Sequence, residues 1–264
     1  MTTQTLSRRG VMSKAWWIEN KSLVALLVLI GLLVSVSGGV RAVSRLAAEP
    51  SHLVKSTLQS EEKQAIGALA ASHIAKNSCI YLDAGTTTLA LARAILDRND
   101  LQVVTNDFEI TQLLIDASQC GVIHTGGTLC RENRSCVGES AARTLRHLAI
   151  DTAFISASGW DSRGIFTPDE NKVTVKETVS QVSARSILLC DSSKYNQVAT
   201  FMALPLTRFT TIITDRHLSD AAAPGFHLHI GGHPDHGALF GDHLLAALQL
   251  TDHDGERTTF DLIT

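Results

Sequence analysis

The stretch Cys79-Ile80-Tyr81-Leu82-Asp83-Ala84-Gly85-Thr86-Thr87-Thr88-Leu89 decides the fold class, because a short apolar run breaks into a small polar loop and then into helical spacing, Leu89 to Leu96. The same rhythm returns downstream. Leu101 to Val104 leads into Thr105-Asn106-Asp107 and the helically spaced Ile110 to Ala117, and Gly121 to His124 ends in Thr125-Gly126-Gly127. Ala153 to Ser156 runs into Ser158-Gly159, Ile187 to Cys190 into Asp191-Ser192-Ser193-Lys194, and Thr211 to Ile213 into Thr214-Asp215. Continuous apolar strands alternating with helices are what a parallel sheet covered on both faces requires. The expected class is α/β, a mainly parallel sheet flanked by helices.

In such a sheet the ligand crevice lies outside the carboxyl ends of the strands, where each of these loops falls. Their chemistry is uniform: glycines that admit close backbone approach, hydroxyls and amides, and the cation of Lys194. Gly85 permits a tight turn, while Thr86, Thr87 and Thr88 present hydroxyls and the opening N–H groups of the next helix, a combination that favours anions. A Gly-Thr run is also what an ordinary helix start looks like, so Thr86 alone identifies nothing. Several polar loops at one sheet edge point to a small, phosphorylated ligand.

Composition bounds the rest. With 264 residues, 44% hydrophobic and 19% charged, the chain has the apolar mass for a substantial core and is neither disordered nor coiled coil. The formal net charge of −3 gives no global pull toward nucleic acid. Residues 1–45 nevertheless carry Arg8, Arg9, Lys14, Lys21, Arg41 and Arg45 against Glu19 alone. Five scattered cysteines without a C-x-x-C argue against a disulfide framework or a zinc site, and a reducing cytoplasm is expected. Leu23 to Val34 is uninterruptedly apolar but too short to span a bilayer, which takes roughly 20 residues. Preceded by basic residues, including Arg8-Arg9, and followed by Ser35-Val36-Ser37, it also has the outline of a signal peptide.

Taken together, Asp83-Ala84-Gly85-Thr86-Thr87-Thr88, Val104-Thr105-Asn106, Thr125-Gly126-Gly127, Val137-Gly138, Val175-Lys176 and Asp191-Ser192-Ser193-Lys194 resemble, in order and spacing, the effector-sensing domain of DeoR-type bacterial transcriptional regulators. The resemblance covers roughly residues 58 to 215. It implies a fold like ribose-5-phosphate isomerase and CoA transferase, no enzymatic activity, no cofactor or metal, and a phosphorylated sugar or sugar alcohol as effector. It further implies a cytoplasmic regulator of a sugar-catabolic operon, operator DNA as a partner, and a homo-oligomer. Carried over by position, it places the effector among Asp83, Gly85, Thr86, Thr87 and Thr88 of the first loop and Thr105 and Asn106 of the second. Gly126 and Gly127 then shape the third, and Lys176 and Lys194 face the anionic end. Asp107 stands where the family usually has serine, so its carboxylate must point away from a phosphate or the ligand must differ. On charge pattern alone, Lys176 beside Glu177 fits a solvated helix face equally well.

The ends depart from the family pattern. Residues 1–40 are expected to be the degenerate remnant of a winged helix-turn-helix: Gly31 to Val40 falls in register with a wing, but Glu19 to Leu23 replaces the arginine-rich recognition helix. Major-groove reading needs base-contacting side chains flanked by cations, which an apolar run does not supply, so specific DNA binding is expected to be impaired. Secretion is disfavoured by the cytoplasmic location of phosphorylated sugars, and association with a membrane is not expected. Residues 41–60 are assigned to a linker, 61–240 to the sensor and 241–264 to a carboxyl-terminal extension, with Leu244 to Leu250 as a last helix. His227, His229, His233, His236, His243 and His253 fit no established metal motif. Two alternatives stay open: an isomerase-like enzyme using Asp83 as a base, and an interaction-only sensor that pairs with intact relatives.

Overall fold

The computed structural model describes residues 49–215 throughout, Leu218, and short strands at 11–12, 33–36, 39–42, 44–46, 229–230, 245–251 and 257–263. At its centre lie six parallel strands: β1 (Cys79–Leu82), β2 (Gln102–Thr105), β3 (Gly121–His124), β4 (Ile150–Ser156), β5 (Ser183–Leu189) and β6 (Thr211–Asp215). Their spatial order is β6-β5-β4-β1-β2-β3. Register aligns Leu82 with Thr105 and Phe154, and Thr105 with His124, so the loops that follow these strands share one rim. The expected α/β class and parallel sheet are what the structure shows.

Alternation along the strands divides the apolar residues into two cores, one on each face. Tyr81, Val104, Ala153, Ile155, Leu188 and Ile212 face one layer, which contains Leu145, Val175 and Val179 of helices α4 (Glu139–Leu145) and α5 (Glu170–Val182). Ile80, Leu82, Val103, Phe154, Leu189 and Ile213 face the other, against α1 (Ser60–Ser72), α2 (Thr86–Ala94) and α3 (Phe108–Ala117). Burial on both faces explains why these strands read as continuous apolar runs rather than alternating ones. Local chemistry sets the helix starts. Asp107 caps α3 by accepting from Glu109 N at 2.7 Å and Ile110 N at 3.0 Å, and Asp169 caps α5 by accepting from Asn171 N at 2.9 Å.

Two elements differ from expectation. The threonines read as loop form the first turn of α2. The helix expected over Leu244 to Leu250 is instead a strand, Leu245–Thr251, antiparallel to Arg257–Ile263, which in turn lies parallel to β6. A segment this short, apolar but for Gln249, carries no period that separates helix from buried strand, and its pairing along the whole of Arg257–Ile263 decides the matter. Near the amino terminus, Leu33–Val36 and Gly39–Ala42 pair antiparallel where a wing was expected. The apolar run Leu23 to Val34 and the carboxyl-terminal histidines lie largely outside the described residues.

Helices α1 and α2 touch at Gly67, where an added Cβ would stand 2.7 Å from Ala90 C and 2.7 Å from Leu91 N. Both neighbours are helix backbone and cannot rotate aside. Gly67→Ala is therefore expected to destabilise the domain by about 1–3 kcal/mol, as overpacking does, read as a lower urea midpoint at unchanged slope.

Candidate functional site

Asp83, Gly85, Thr86, Thr87, Asn106, Lys176 and Lys194 line one cavity of about 160 Å³ at the carboxyl rim of the sheet. Thr88, Thr105, Gly126 and Gly127 do not line it. Thr88 Oγ1 donates to Asp83 O at 2.6 Å and Gly85 O at 2.8 Å, which closes the first loop. Thr105 Oγ1 donates to Leu82 O at 2.7 Å and accepts from Asp107 N at 3.1 Å, joining β2 to β1. Gly126 and Gly127 hold positive φ angles of 66° and 127°, and a Cβ on Gly127 would meet Ala141 Cβ at 2.9 Å. These four residues shape the rim from behind.

Asp83 and Lys176 form the base of the cavity as a buried ion pair, with side chains 4% and 7% exposed. Lys176 Nζ also donates to Ser156 O at 2.7 Å, while Asp83 Oδ2 accepts from Ser156 N and Ser156 Oγ, each at 3.1 Å. Lys176 is thus a buried cross-link and not a solvated helix face. Asn106 is equally committed, accepting from Tyr81 Oη at 2.9 Å and donating to Cys136 O at 2.8 Å.

Groups above this base remain open to a ligand. No side chain caps α2, whose first turn begins at Thr86. The N–H groups at an uncapped helix start carry partial positive charge and attract anions. Gly85 lets the loop pack closely on the end of β4, since a Cβ there would stand 2.9 Å from Ser156 Oγ. The hydroxyls of Thr87 and Ser135 are buried without a hydrogen-bond partner among the described residues, an arrangement that a bound polar molecule would complete. Lys194 donates one bond, to Ala157 O at 3.0 Å, and stands 3.8 Å from Asp191 Oδ2. Burial pulls its pKa down, but the nearby Cys190, Asp191 and Glu49 more than offset that, so it stays charged.

The cavity is wider than the sequence motifs indicated. Lys55, Lys63 and Lys172 join Lys176 and Lys194 in its wall, against Glu49, Asp83 and Asp191, an excess of two positive charges. Lys172 was detectable, since it lies four residues before Lys176 on one helical face. Lys55 and Glu49 sit in what reads as linker and carried no local signal. Asp107 lies behind the cavity: besides capping α3 it accepts from Gly85 N at 3.1 Å. Its carboxylate points away from the ligand side, the first of the two possibilities its identity left open.

Among the described residues no group of three or more His, Cys, Asp or Glu is placed to hold a metal ion, and no helix is long and apolar enough to cross a membrane.

Residues 58–216 match the model of the DeoR C terminal sensor domain. The chain belongs to the DeoR family. It is 58% identical over 193 residues to the uncharacterized HTH-type transcriptional regulator YgbI of Escherichia coli K12, covering 73% of this chain and 76% of that one. The putative aga operon transcriptional repressor of Escherichia coli O157:H7 is 30% identical over 63% of this chain and 62% of its own. The glycerol-3-phosphate regulon repressor of Escherichia coli K12 is 28% identical over 67% and 71%. Among solved structures, ribose 5 phosphate isomerase A from Neisseria gonorrhoeae aligns at a TM-score of 0.39 and 16% identity, covering 53% of this chain and 55% of that one.

Two outcomes follow from the charges. Lys176→Met leaves the Asp83 carboxylate buried without its cation and is expected to cost about 3–5 kcal/mol, measurable by urea unfolding. Burial pushes the Asp107 pKa from 3.8 up to about 7, although hydrogen bonds from Ile110, Glu109 and Gly85 oppose it. The folded state therefore holds this proton more tightly than the unfolded chain does, and stability falls as pH rises from 3.8 to about 7. In Asp107→Asn, which retains a capping oxygen, that decline is expected to flatten, seen by comparing urea midpoints of both proteins at the two ends of the window.

Proposed function

We propose that this chain is an effector-responsive regulator of carbohydrate catabolism whose cavity takes a phosphorylated sugar or sugar alcohol. The observation that carries this reading is the juxtaposition of the uncapped α2 start, the unpaired hydroxyls of Thr87 and Ser135, and Lys194 in a cavity with two excess positive charges. A phosphate at cytoplasmic pH carries close to two negative charges and accepts several hydrogen bonds, which matches both features. Lys194 and the α2 N–H groups then face the phosphate, and the hydroxyls of Thr87 and Ser135 face the sugar. Asp83 and Lys176 are occupied with each other and act by holding the loops in place. A relative named as the glycerol-3-phosphate regulon repressor supports a phosphorylated sugar alcohol as the kind of metabolite concerned.

Asp83 would be poorly placed as a catalytic base, because its carboxylate already accepts from Lys176 and Ser156. The reading is therefore of a cytoplasmic sensor and not of an isomerase. Residues 1–40 form a degenerate DNA-binding remnant, so operator recognition is weak, and the sensor associates as a homo-oligomer.

A thermal-shift panel of sugar and sugar-alcohol phosphates on the full chain tests this. An effector at one hundred times its Kd is expected to stabilise the protein by about 2.7 kcal/mol. Lys194→Ala is expected to lose most of that shift, measured from the variant's own unliganded midpoint. Absence of a shift across the panel in folded protein overturns the sensor reading, and interconversion of aldose and ketose phosphates overturns its non-enzymatic part. Tight, salt-resistant retardation of operator DNA would refute the impairment.

A further inference from the structure

The wall of the cavity includes a carboxylate that the chain itself supplies. Glu49 Oε2 accepts from Lys172 Nζ at 2.9 Å, Asn133 Nδ2 at 3.0 Å and Lys55 Nζ at 3.1 Å. The donors come from α5, from the loop between the strands Thr128–Cys130 and Ser135–Val137, and from the short helix His52–Thr57. The seat is largely withdrawn from water: the side chains of Glu49, Lys172 and Lys55 are 10%, 13% and 17% exposed. Two ammonium groups and an amide converging on one oxygen are what binds an anion strongly. Burial alone would raise the Glu49 pKa, yet the charges of Lys172 and Lys55 and the bonds from Lys172 and Asn133 bring it to about 2.

Position adds a second observation. Glu49 belongs to the segment that leads from the amino-terminal region into the sensor, and Leu46, Glu49 and Pro50 all line the cavity. Just upstream, Ser44–Leu46 pairs parallel with Gln197–Ala199, which follows the Lys194 turn, in the register Ser44 to Gln197 and Leu46 to Ala199. Ser44–Leu46 and Glu49 are thus each attached to the sensor, the first by backbone pairing and the second through its carboxylate.

We propose that Lys55, Asn133 and Lys172 form a second anion seat of the effector cavity, occupied by Glu49 as an internal ligand until an anionic oxygen group of the effector displaces it. Displacement frees residues 44–50 from the sensor and so carries occupancy of the cavity toward the amino-terminal region. The proposal rests on the sensor reading above. It deepens that reading by assigning the effector two anionic contacts, one with Lys194 and the α2 start and one here. The second group is a carboxylate like that of Glu49 or an oxygen of the phosphate itself.

The test compares the full-length protein with Glu49→Ala and Glu49→Gln, the latter preserving side-chain size should the former fold poorly. Calorimetric titrations use glycerol 3-phosphate and 3-phosphoglycerate, which share the phosphate and differ in the carboxylate. Tryptic cleavage after Arg45 is followed with and without each. Removal of an internal competitor is expected to tighten binding about tenfold or more, since an effector no longer has to displace the closed form. In wild type, saturating ligand is expected to accelerate cleavage after Arg45, and both variants are expected to be cut rapidly without ligand. A gain confined to 3-phosphoglycerate assigns the seat to a carboxylate, and an equal gain for both assigns it to phosphate. Equal affinities in wild type and variants overturn the second seat and leave the sensor reading intact. Tighter binding with cleavage unchanged by ligand overturns displacement, because loss of a repelling charge alone would account for it. Failure of wild type and variants to bind these compounds or any in the sugar-phosphate panel overturns both proposals.

Discussion

The pairing of Asp83 with Lys176 holds the rim together. Asp83 leaves the end of β1, Lys176 lies within α5, and both bind Ser156 at the end of β4, so one buried cluster fixes three elements. Taking two charges out of water is costly, and the cost is offset only when their remaining hydrogen-bonding capacity is met. Here Ser156 meets it, through N–H, hydroxyl and carbonyl. The result is a rigid base whose charges are neutralised internally, so that the surplus positive potential of the cavity comes from the lysines above it.

Around that base the polar residues divide by role. Thr88, Thr105, Asn106 and Asp107 spend their hydrogen bonds on backbone, on one another or, for Asn106, on the Tyr81 hydroxyl, and they determine where the α2 start and the β2 loop stand. Thr87, Ser135 and Lys194 keep capacity in reserve. A site of this kind separates scaffolding from recognition, with the scaffold formed by short local bonds and the recognition left to groups that a bound molecule completes. The carboxylate of Glu49 belongs to neither set, because it occupies hydrogen-bonding capacity of Lys55 and Lys172.

Much of this was legible in the amino-acid order. The apolar run Cys79 to Leu82 became a strand with those bounds, because a strand buried on both faces needs nothing but apolar residues, and Gly121 to His124 did so as the less buried edge strand of the sheet. The loops that follow them could be placed at one edge from the rule that parallel connections bring the carboxyl ends together. What escaped was the direction of individual side chains. Thr86 and Thr88 are identical in type and two residues apart, yet only Thr86 reaches the cavity, since a helical turn points them to different sides. Lys55, Asn133 and Glu49 meet across 84 residues of sequence, a distance no local pattern spans. Leu245–Thr251 was misassigned because its strand character resides in its partner.

The strand order also has a kinetic side. β1 is made early but lies between β2 and β4, and β4 must wait for β5, which in turn waits for β6. A nascent chain that has emerged only as far as β3 possesses half of a sheet, with one flank of β1 open. Because distant segments must meet before either is rewarded, parallel sheets of this type assemble slowly, and their unpaired edges are exposed in the interval. For this protein the vulnerable interval runs from the synthesis of β1 to that of β4, and a ribosome-bound fragment ending before Ile150 would present the flank of β1 as a surface for chaperones or for self-association.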